Sequence, residues 1–235
     1  MPIDEYVRCL DTHRLIPRRF LPGQSSVLES LGLPAEITDQ LSEVDAATND
    51  RSLAGARRVP YIGPAELVIG VPEAEVINAP FCHPGPSGAR FNDDRRGAWY
   101  AGAKIGTSLR EVVFHKQQFL RDGRIATSME FEYADLIADF VGTFSLLDDS
   151  ERMTCLQPGP IPACYGPGQV LASHLLARGK AGIVYPSVRN QPDGTCIVCF
   201  RPAMVAHPRR GSVYALAIQA GTLWDESQMK VLLQP

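Results

Sequence analysis

The sequence predicts an α+β fold built from short, mostly antiparallel strands, and two observations support this prediction. Short apolar runs alternate with clusters of Gly, Pro, Asn and Asp, a pattern typical of strands joined by turns. Hairpin signals also outnumber strand–helix–strand patterns, which favours antiparallel pairing over a parallel sheet. We therefore expect one sheet core with helices flanking it.

The first 65 residues predict an N-terminal extension to a domain that spans residues 66–235. Pro17 and Pro22 interrupt the chain early. Residues 34–44 then begin with Pro, carry an early acidic residue and place apolar residues at 37, 41 and 44, which is the spacing of an amphipathic helix. We therefore expect a helical extension, with residues 55–64 as its connector.

The domain of residues 66–235 carries the remaining predicted elements. Apolar runs predict strands over residues 67–70, 75–78, 98–101, 125–133, 136–144, 182–185, 196–200 and 213–218. Helices are predicted over residues 108–120, after the N-cap residue Thr107, and over residues 168–179, which end in Gly. The Asp193-Gly194 step marks a hairpin turn between two of the strands.

Composition and charge exclude several classes of protein. The 235 residues include 23 Lys and Arg against 26 Asp and Glu, a net charge of −3, which leaves no basic surplus for binding nucleic acid non-specifically. No apolar run is long enough to cross a bilayer, and the N-terminus lacks the features of a secretory signal. We therefore expect a cytoplasmic protein that does not bind membranes, whose six cysteines need not form disulfides.

Standard metal and nucleotide motifs are absent from the sequence. Cys196 and Cys199 form a CxxC pattern, but in an apolar strand the side chains at i and i+3 point to opposite faces. No second CxxC or His pair completes a zinc site, so we expect two core thiols and no metal. The sequence also lacks the Rossmann, P-loop, HExxH and GxSxG motifs.

Three segments, at residues 88–100, 107–115 and 182–189, mix polar residues into apolar surroundings, and each candidate has two interpretations. Arg90 follows a Gly-containing turn and suits a diphosphate or carboxylate ligand, or is a surface residue. Tyr100 either stacks on a planar ring or fills the core. Glu111 lies nearly opposite the apolar stripe of its helix, on a face that is either solvated or lines a cleft. Ser187 follows a strand end, where both binding residues and ordinary turns occur.

Taken together, these segments resemble the RES-domain family, whose members are toxins of bacterial toxin–antitoxin pairs. The resemblance covers about residues 75–205 and rests on five elements in order: residues 88–92 (GARFN), 100–101 (YA), 109–112 (LREV), 182–189 (GIVYPSVR) and 198–202 (VCFRP). Two features depart from the pattern. Ala89 splits the usual Gly-Arg pair, and residues 76–79 stand where many members have an Arg-bearing strand.

The resemblance implies an ADP-ribosyltransferase-like fold with a split antiparallel sheet, and NAD+ as substrate without a metal. Arg90 would bind the diphosphate of NAD+, and Tyr100 would pack against the nicotinamide or its ribose. Glu111 would be the catalytic carboxylate, and Ser187 would hydrogen-bond the bound nucleotide. The ADP-ribose would pass to water, phosphate or a protein side chain.

The resemblance also implies a partner, a cognate antitoxin of the Xre, MbcA or ParS type that covers the active site. A group of basic residues is available either to bind an acidic tail of such a partner or to form a solvated rim; it comprises Arg95, Arg96, Lys104 and Arg110. A protein acceptor would need a docking surface, which the long extension is one candidate to supply. Two other functions stay open, a catalytically silent nucleotide-binding module and a glycoside hydrolase that uses Glu111 with Asp93 or Asp94.

Overall fold

The computed structural model describes residues 2–21 and 62–234, which form a large sheet and several helices. The strands are β1 (Ile3–Pro17), β2 (Trp99–Gly102), β3 (Met129–Leu146), β4 (Gly182–Pro186), β5 (Thr195–Cys199), β6 (Ala206–Ile218) and β7 (Met229–Leu233). The α-helices are α1 (Ala74–Cys82), α2 (Ile105–Asp122), α3 (Asp149–Cys155) and α4 (Gly166–Ala177). In these two ranges, no helix has the length and apolar character needed to cross a bilayer.

The strands form one continuous sheet in the order β1-β2-β5-β4-β3-β6-β7. An additional pairing of β1 with β3 closes the first five strands of this order into a ring, and β6 and β7 extend from β3. Only β3 and β4 run parallel among the described strand pairs. The predicted mixture of helices with a mostly antiparallel sheet is confirmed, whereas the ADP-ribosyltransferase-like arrangement stays a prediction.

Strand β1 corrects the expectation of a helical extension. Residues 3–17 pair antiparallel with β3 along nearly their whole length, from Ile3 opposite Leu146 to Pro17 opposite Tyr133. These residues hydrogen-bond to neighbouring strands, so they belong to the same sheet as the other described strands. The helix predicted over residues 34–44 and most of the predicted connector lie outside the described residues.

Strand β3 joins what the sequence predicts as two strands. The polar residue Asp135 falls in the gap between the predicted strands, which cover residues 125–133 and 136–144. Instead Asp135 is 2% exposed and sits in the pairing with β1, opposite Leu15. The pairing with β6 shifts register beside it, between Ala134 and Leu136, so the sheet accommodates the carboxylate through an irregularity rather than by ending the strand.

The two strands predicted near the start of the domain, over residues 67–70 and 75–78, are wrong. The backbone N–H and carbonyl of Val68 bond to the side-chain amide of Asn78, at 3.1 and 2.8 Å, instead of to a neighbouring strand. Residues 75–78 lie within α1, which buries Val76, Ile77 and Phe81. A short apolar run is compatible with either a strand or a buried helix, and here the helix prevails.

The other predicted elements are confirmed with small shifts of their ends, except that β6 begins at Ala206, well before the strand predicted over residues 213–218. Helix α2 buries Leu109, Val113 and Leu120 against the sheet, and helix α4 buries Ala172 and Leu175. Strands β4 and β5 pair antiparallel on either side of the predicted turn. Helix α2 therefore packs against the sheet, and its residues Thr107 and Glu111 hydrogen-bond to the loop between β4 and β5, where the candidate site is found.

Candidate active site

A cavity of about 270 Å³ lies where helix α2 meets the ring of strands. Its walls come from β1, β2, α2, β4 and β5, together with the loop before β2 and the loop after β4. Arg90, Tyr100 and Glu111 all line it, and Ser187 lies directly behind Glu111. The structure thus brings together four residues that are spread over nearly 100 positions of the sequence.

Glu111 is half-buried on α2, on the face opposite the buried stripe of that helix. Its Oε1 atom accepts a hydrogen bond of 2.6 Å from the Ser187 hydroxyl and lies 3.9 Å from the Cys196 sulfur. Between the two interpretations of this helix face, the structure therefore selects the cleft-lining one. Among the described residues, Glu111 is the carboxylate that lines the cavity.

Ser187 is fully buried and does not line the cavity. Its hydroxyl donates to Glu111 and accepts from the backbone N–H groups of Arg189 and Asn190, at 3.1 and 3.0 Å. Gly194 allows the loop to fold this tightly, because a Cβ at that position would lie 2.4 Å from the carbonyl oxygen of Asn190. The hydroxyl can therefore reach a ligand only by giving up its bond to Glu111.

Arg90 is 8% exposed and is held from behind by backbone carbonyls. Its Nη1 atom donates to the carbonyl oxygens of Cys155 and Gln157, at 2.7 and 3.4 Å, and its Cζ atom lies 5.3 Å from the centroid of the Tyr165 ring. Within the described ranges, Nε and Nη2 have no hydrogen-bond partner, which leaves donors on the guanidinium for an anionic ligand.

Tyr100 connects the sheet to the loop that carries Arg90. Its hydroxyl accepts a hydrogen bond from the backbone N–H of Phe91 and donates one to the Asn92 side chain, both at 2.9 Å. Burial raises the pKa of this phenol well above its usual value, so the hydroxyl stays neutral. Tyr100 therefore presents its ring to the cavity while its hydroxyl fixes the two residues that follow Arg90.

Arg189 and His115 also line the cavity, although sequence reasoning gave neither a role. The Arg189 guanidinium carbon lies 3.4 Å from the centroid of the Phe114 ring. Partial loss of water, followed by the positive charge of Arg189, lowers the pKa of His115 to about 4, so its ring is neutral near pH 7. His115 lies one helical turn after Glu111, and this spacing was the signal that could have identified it.

Strand β1 supplies His13, Arg14 and Leu15 to the cavity wall. The Arg14 guanidinium donates a hydrogen bond of 3.1 Å to the Tyr100 carbonyl oxygen and lies 5.2 Å from the centroid of the Trp99 ring. Sequence reasoning missed these residues because it treated residues 1–65 as an extension. The strand that brings an arginine to the cavity here is β1, whereas residues 76–79 belong to a helix.

The interpretation of both CxxC cysteines as core residues is confirmed. Cys196 and Cys199 are buried, and they belong to different hydrophobic clusters, as expected for positions three apart on a strand. Burial raises the pKa of each thiol to about 12, so both are protonated at neutral pH. In residues 2–21 and 62–234, no group of three or more His, Cys, Asp or Glu side chains could hold a metal ion.

None of the four basic residues considered for partner binding lines this cavity. Arg96 donates two hydrogen bonds of 2.8 Å to the Glu66 carboxylate and one of 2.9 Å to the Phe200 carbonyl oxygen. Arg95 and Arg96 instead line a separate cavity of about 300 Å³ between the loop of residues 91–97 and helix α4. The guanidinium of Arg96 is therefore largely occupied by hydrogen bonds within the fold.

Among three comparisons with known proteins, the family model agrees with the resemblance seen in the sequence. A solved structure from M. tuberculosis, the MbcT–MbcA toxin–antitoxin complex, is similar with a TM-score of 0.36 and 9% sequence identity, over 57% of this chain and 73% of that one. A comparison with curated proteins found no match. The model of the RES domain family matches residues 68–219, which is more than half of the chain and includes Arg90, Tyr100, Glu111 and Ser187. The chain belongs to the RES-domain family.

Proposed function

We propose that this protein is the toxin of a toxin–antitoxin pair and that it cleaves the bond between nicotinamide and ribose in NAD+. The observation that carries this proposal is the convergence of Arg90, Tyr100 and Glu111 on one cavity of about 270 Å³. This volume lies just below the range of about 300–1,000 Å³ for ligand sites. We expect one half of the dinucleotide to enter the cavity and the other half to lie at its rim.

Glu111 would stabilise the charge that develops during bond cleavage. Loss of nicotinamide leaves positive charge on the ribose, as in the oxocarbenium-like transition state of glycoside cleavage. A carboxylate held in place next to that charge stabilises it without reorganising. Nicotinamide leaves as a neutral ring, so the reaction needs little acid catalysis, which suits a cavity lined by a single described carboxylate.

Arg90 and Tyr100 would bind the substrate. The Nε and Nη2 atoms of Arg90 offer donors to a diphosphate, and the carbonyl contacts at Nη1 fix the plane of the guanidinium. The Tyr100 ring offers an apolar surface for the nicotinamide or its ribose, while its hydroxyl is occupied by Phe91 and Asn92. For Ser187 we propose a positioning role through its bond to Glu111, in place of the nucleotide contact that the resemblance implies.

A glycoside hydrolase is not favoured, because that chemistry normally requires two carboxyl groups on either side of the scissile bond. Neither Asp93 nor Asp94 lines the cavity that holds Glu111. Asp93 lines the second cavity and accepts hydrogen bonds from the backbone N–H groups of Arg95 and Arg96. A silent nucleotide-binding module remains the alternative, and measuring turnover distinguishes it from an enzyme.

The acceptor of ADP-ribose and the antitoxin belong to the proposal. Water or phosphate needs only an open path to Glu111, whereas a protein acceptor needs a docking surface. We propose an antitoxin of the Xre, MbcA or ParS type that covers the cavity. Mass spectrometry after incubation with NAD+, phosphate and cell lysate identifies the acceptor as free ADP-ribose, its phosphorylated form or a modified protein.

The test of the proposed reaction is nicotinamide release from NAD+ by the purified protein and by Glu111→Gln. We expect the substitution to reduce the rate about 10²-fold or more, which is the scale for losing one electrostatic catalytic group. Glu130→Gln, at an exposed position of β3, is the matched control and should release nicotinamide at the wild-type rate. Near-normal turnover by Glu111→Gln would remove Glu111 from the mechanism, and no release by the wild type would favour the silent module.

A further inference from the structure

A histidine–aspartate pair lies in the same cavity as Glu111, and none of the roles described above uses it. His13 lines the cavity, and the Nδ1 atom of its ring lies 2.7 Å from Oδ2 of Asp135. The His13 side chain is 20% exposed, whereas that of Asp135 is 2% exposed. The imidazole is therefore partly exposed, while its carboxylate partner is buried.

The sheet builds this pair from distant parts of the chain. In the pairing of β1 with β3, His13 lies opposite Ile137 and Leu15 lies opposite Asp135, so His13 and Asp135 are diagonal neighbours on one face. Gly211 makes room for the carboxylate, because a Cβ at that position would lie 2.7 Å from Oδ2 of Asp135. The other carboxylate oxygen, Oδ1, is buried without a hydrogen-bond partner.

This arrangement engages one nitrogen of the ring and leaves the other for a ligand. An ionised carboxylate accepts hydrogen bonds and cannot donate them, so it keeps the proton of a neutral His13 ring on Nδ1. Nε2 then carries the lone pair, and among the described residues it has no hydrogen-bond partner. A base held by a buried carboxylate is the arrangement used to activate nucleophiles in other enzymes.

The backbone of His13 is also tied to the helix that carries Glu111. The Ser108 hydroxyl, on α2, donates a hydrogen bond of 2.6 Å to the backbone carbonyl oxygen of His13. His13 and Glu111 both line the cavity. The proposed base and the proposed catalytic carboxylate therefore belong to one site.

We propose that His13 is the general base that deprotonates the acceptor of ADP-ribose, and that Asp135 positions it. This inference rests on the proposed cleavage of NAD+. The glycosidic bond breaks and its electron pair neutralises the pyridinium ring, so nicotinamide leaves uncharged. A water oxygen bonds to C1′ of the ribose, and the proton that water loses passes to Nε2 of His13. Asp135 stabilises the imidazolium that results.

The test compares two nucleophiles that differ in whether they must lose a proton. Purified protein is incubated with NAD+ in phosphate-free buffer, with and without excess azide, and nicotinamide, ADP-ribose and ADP-ribosyl azide are measured. Azide is an anion at neutral pH and has no proton to lose. We expect His13→Asn to lower hydrolysis about 10²-fold, the lower end of the usual effect of a general base, and to leave azidolysis within about threefold of wild type.

Asp135→Asn should show the same selective loss of hydrolysis. His174→Asn, at an exposed position of α4, is the matched histidine control and should leave both rates unchanged. Glu111→Gln should lower hydrolysis and azidolysis together, because bond cleavage precedes both. Melting temperature and NAD+ affinity are measured for each variant, so that a folding or binding defect is recognised.

Two results would overturn the role of His13 alone. One is unchanged hydrolysis by His13→Asn. The other is an equal loss of hydrolysis and azidolysis, which would assign His13 to structure or binding. If the wild-type protein releases no nicotinamide with either nucleophile, the proposed function itself fails and the role of His13 falls with it.

Discussion

At the residue scale, the short hydrogen bond between Ser187 and Glu111 sets the geometry of the cavity. Ser187 has no exposed surface, and its hydroxyl is fully engaged by Glu111 and two backbone N–H groups. A hydrogen bond to a charged group contributes about 1.5–3 kcal/mol. Here that contribution would hold the carboxylate in one orientation rather than bind substrate.

We expect Ser187→Ala to lower kcat about tenfold and to change KM for NAD+ little, because the side chain orients Glu111 without lining the cavity. Steady-state kinetics of nicotinamide release measures both constants. Ser128→Ala, at an exposed position before β3, is the control. A raised KM with an unchanged kcat would instead indicate that Ser187 contacts the nucleotide, as the family resemblance implies.

The sequence predicted three of the cavity residues but not how they are supported. Arg90, Tyr100 and Glu111 follow from short motifs, and no local pattern shows that the Tyr100 hydroxyl binds the loop next to Arg90. The contact between His13 and Asp135 spans 122 positions and depends on strand register. Register follows from the completed sheet, so sequence patterns alone could not identify this pair.

At the element scale, β1 is a central strand rather than part of an extension. It pairs with β3 along its length and with β2 at His13, and it forms one wall of the cavity. Its polar and charged residues alternate poorly with apolar ones, so periodicity gave no strand signal. The strand nevertheless closes the ring, because it pairs with β3 along nearly its whole length.

We expect deletion of residues 2–17 to prevent folding, because it removes a strand from the ring and exposes the edges of β2 and β3. Yield of soluble protein, circular dichroism and thermal unfolding measure the effect. Tyr6→Ala, at an exposed position of the same strand, should change the free energy of unfolding by no more than about 0.5 kcal/mol. A folded, cooperative protein without residues 2–17 would contradict the assignment of β1 to the core.

Strand β1 also changes how a docking role of the extension is tested. Removing residues 1–60 would delete β1, so loss of protein labelling would then report loss of folding. Leu21 and Ile62 are both buried in the same hydrophobic cluster, and a Gly-Ser linker between them preserves this cluster. Replacing residues 22–61 in this way separates a docking role from the sheet.

At the scale of the whole molecule, the closed ring explains why one site gathers residues from most of the chain. The ring is formed by the pairings β1–β2, β2–β5, β5–β4, β4–β3 and β3–β1. The chain start therefore lies next to residues near 100, and those residues lie next to residues near 196. Helix α2 and the loops at residues 89–92 and 187–194 then cover one face of this ring. The cavity is the space that remains between them.

The fold class was predictable, whereas the closure of the sheet was not. Hairpin signals and two amphipathic helices indicate an antiparallel α+β protein. Closure depends on the pairing of β1 with β3, strands separated by more than 100 residues, and on a β3 that continues through a buried carboxylate. Both features are decided by packing across the whole sheet.

A crystal structure of Glu111→Gln with NAD+ bound would show directly whether Arg90, Tyr100 and residue 111 form one NAD+ site. We expect the nicotinamide ribose to lie beside residue 111, the nicotinamide or its ribose to contact the Tyr100 ring, and the diphosphate to accept hydrogen bonds from Arg90. NAD+ bound outside this cavity, or inside it without contact to Arg90 and Tyr100, would show that these residues do not form the substrate site.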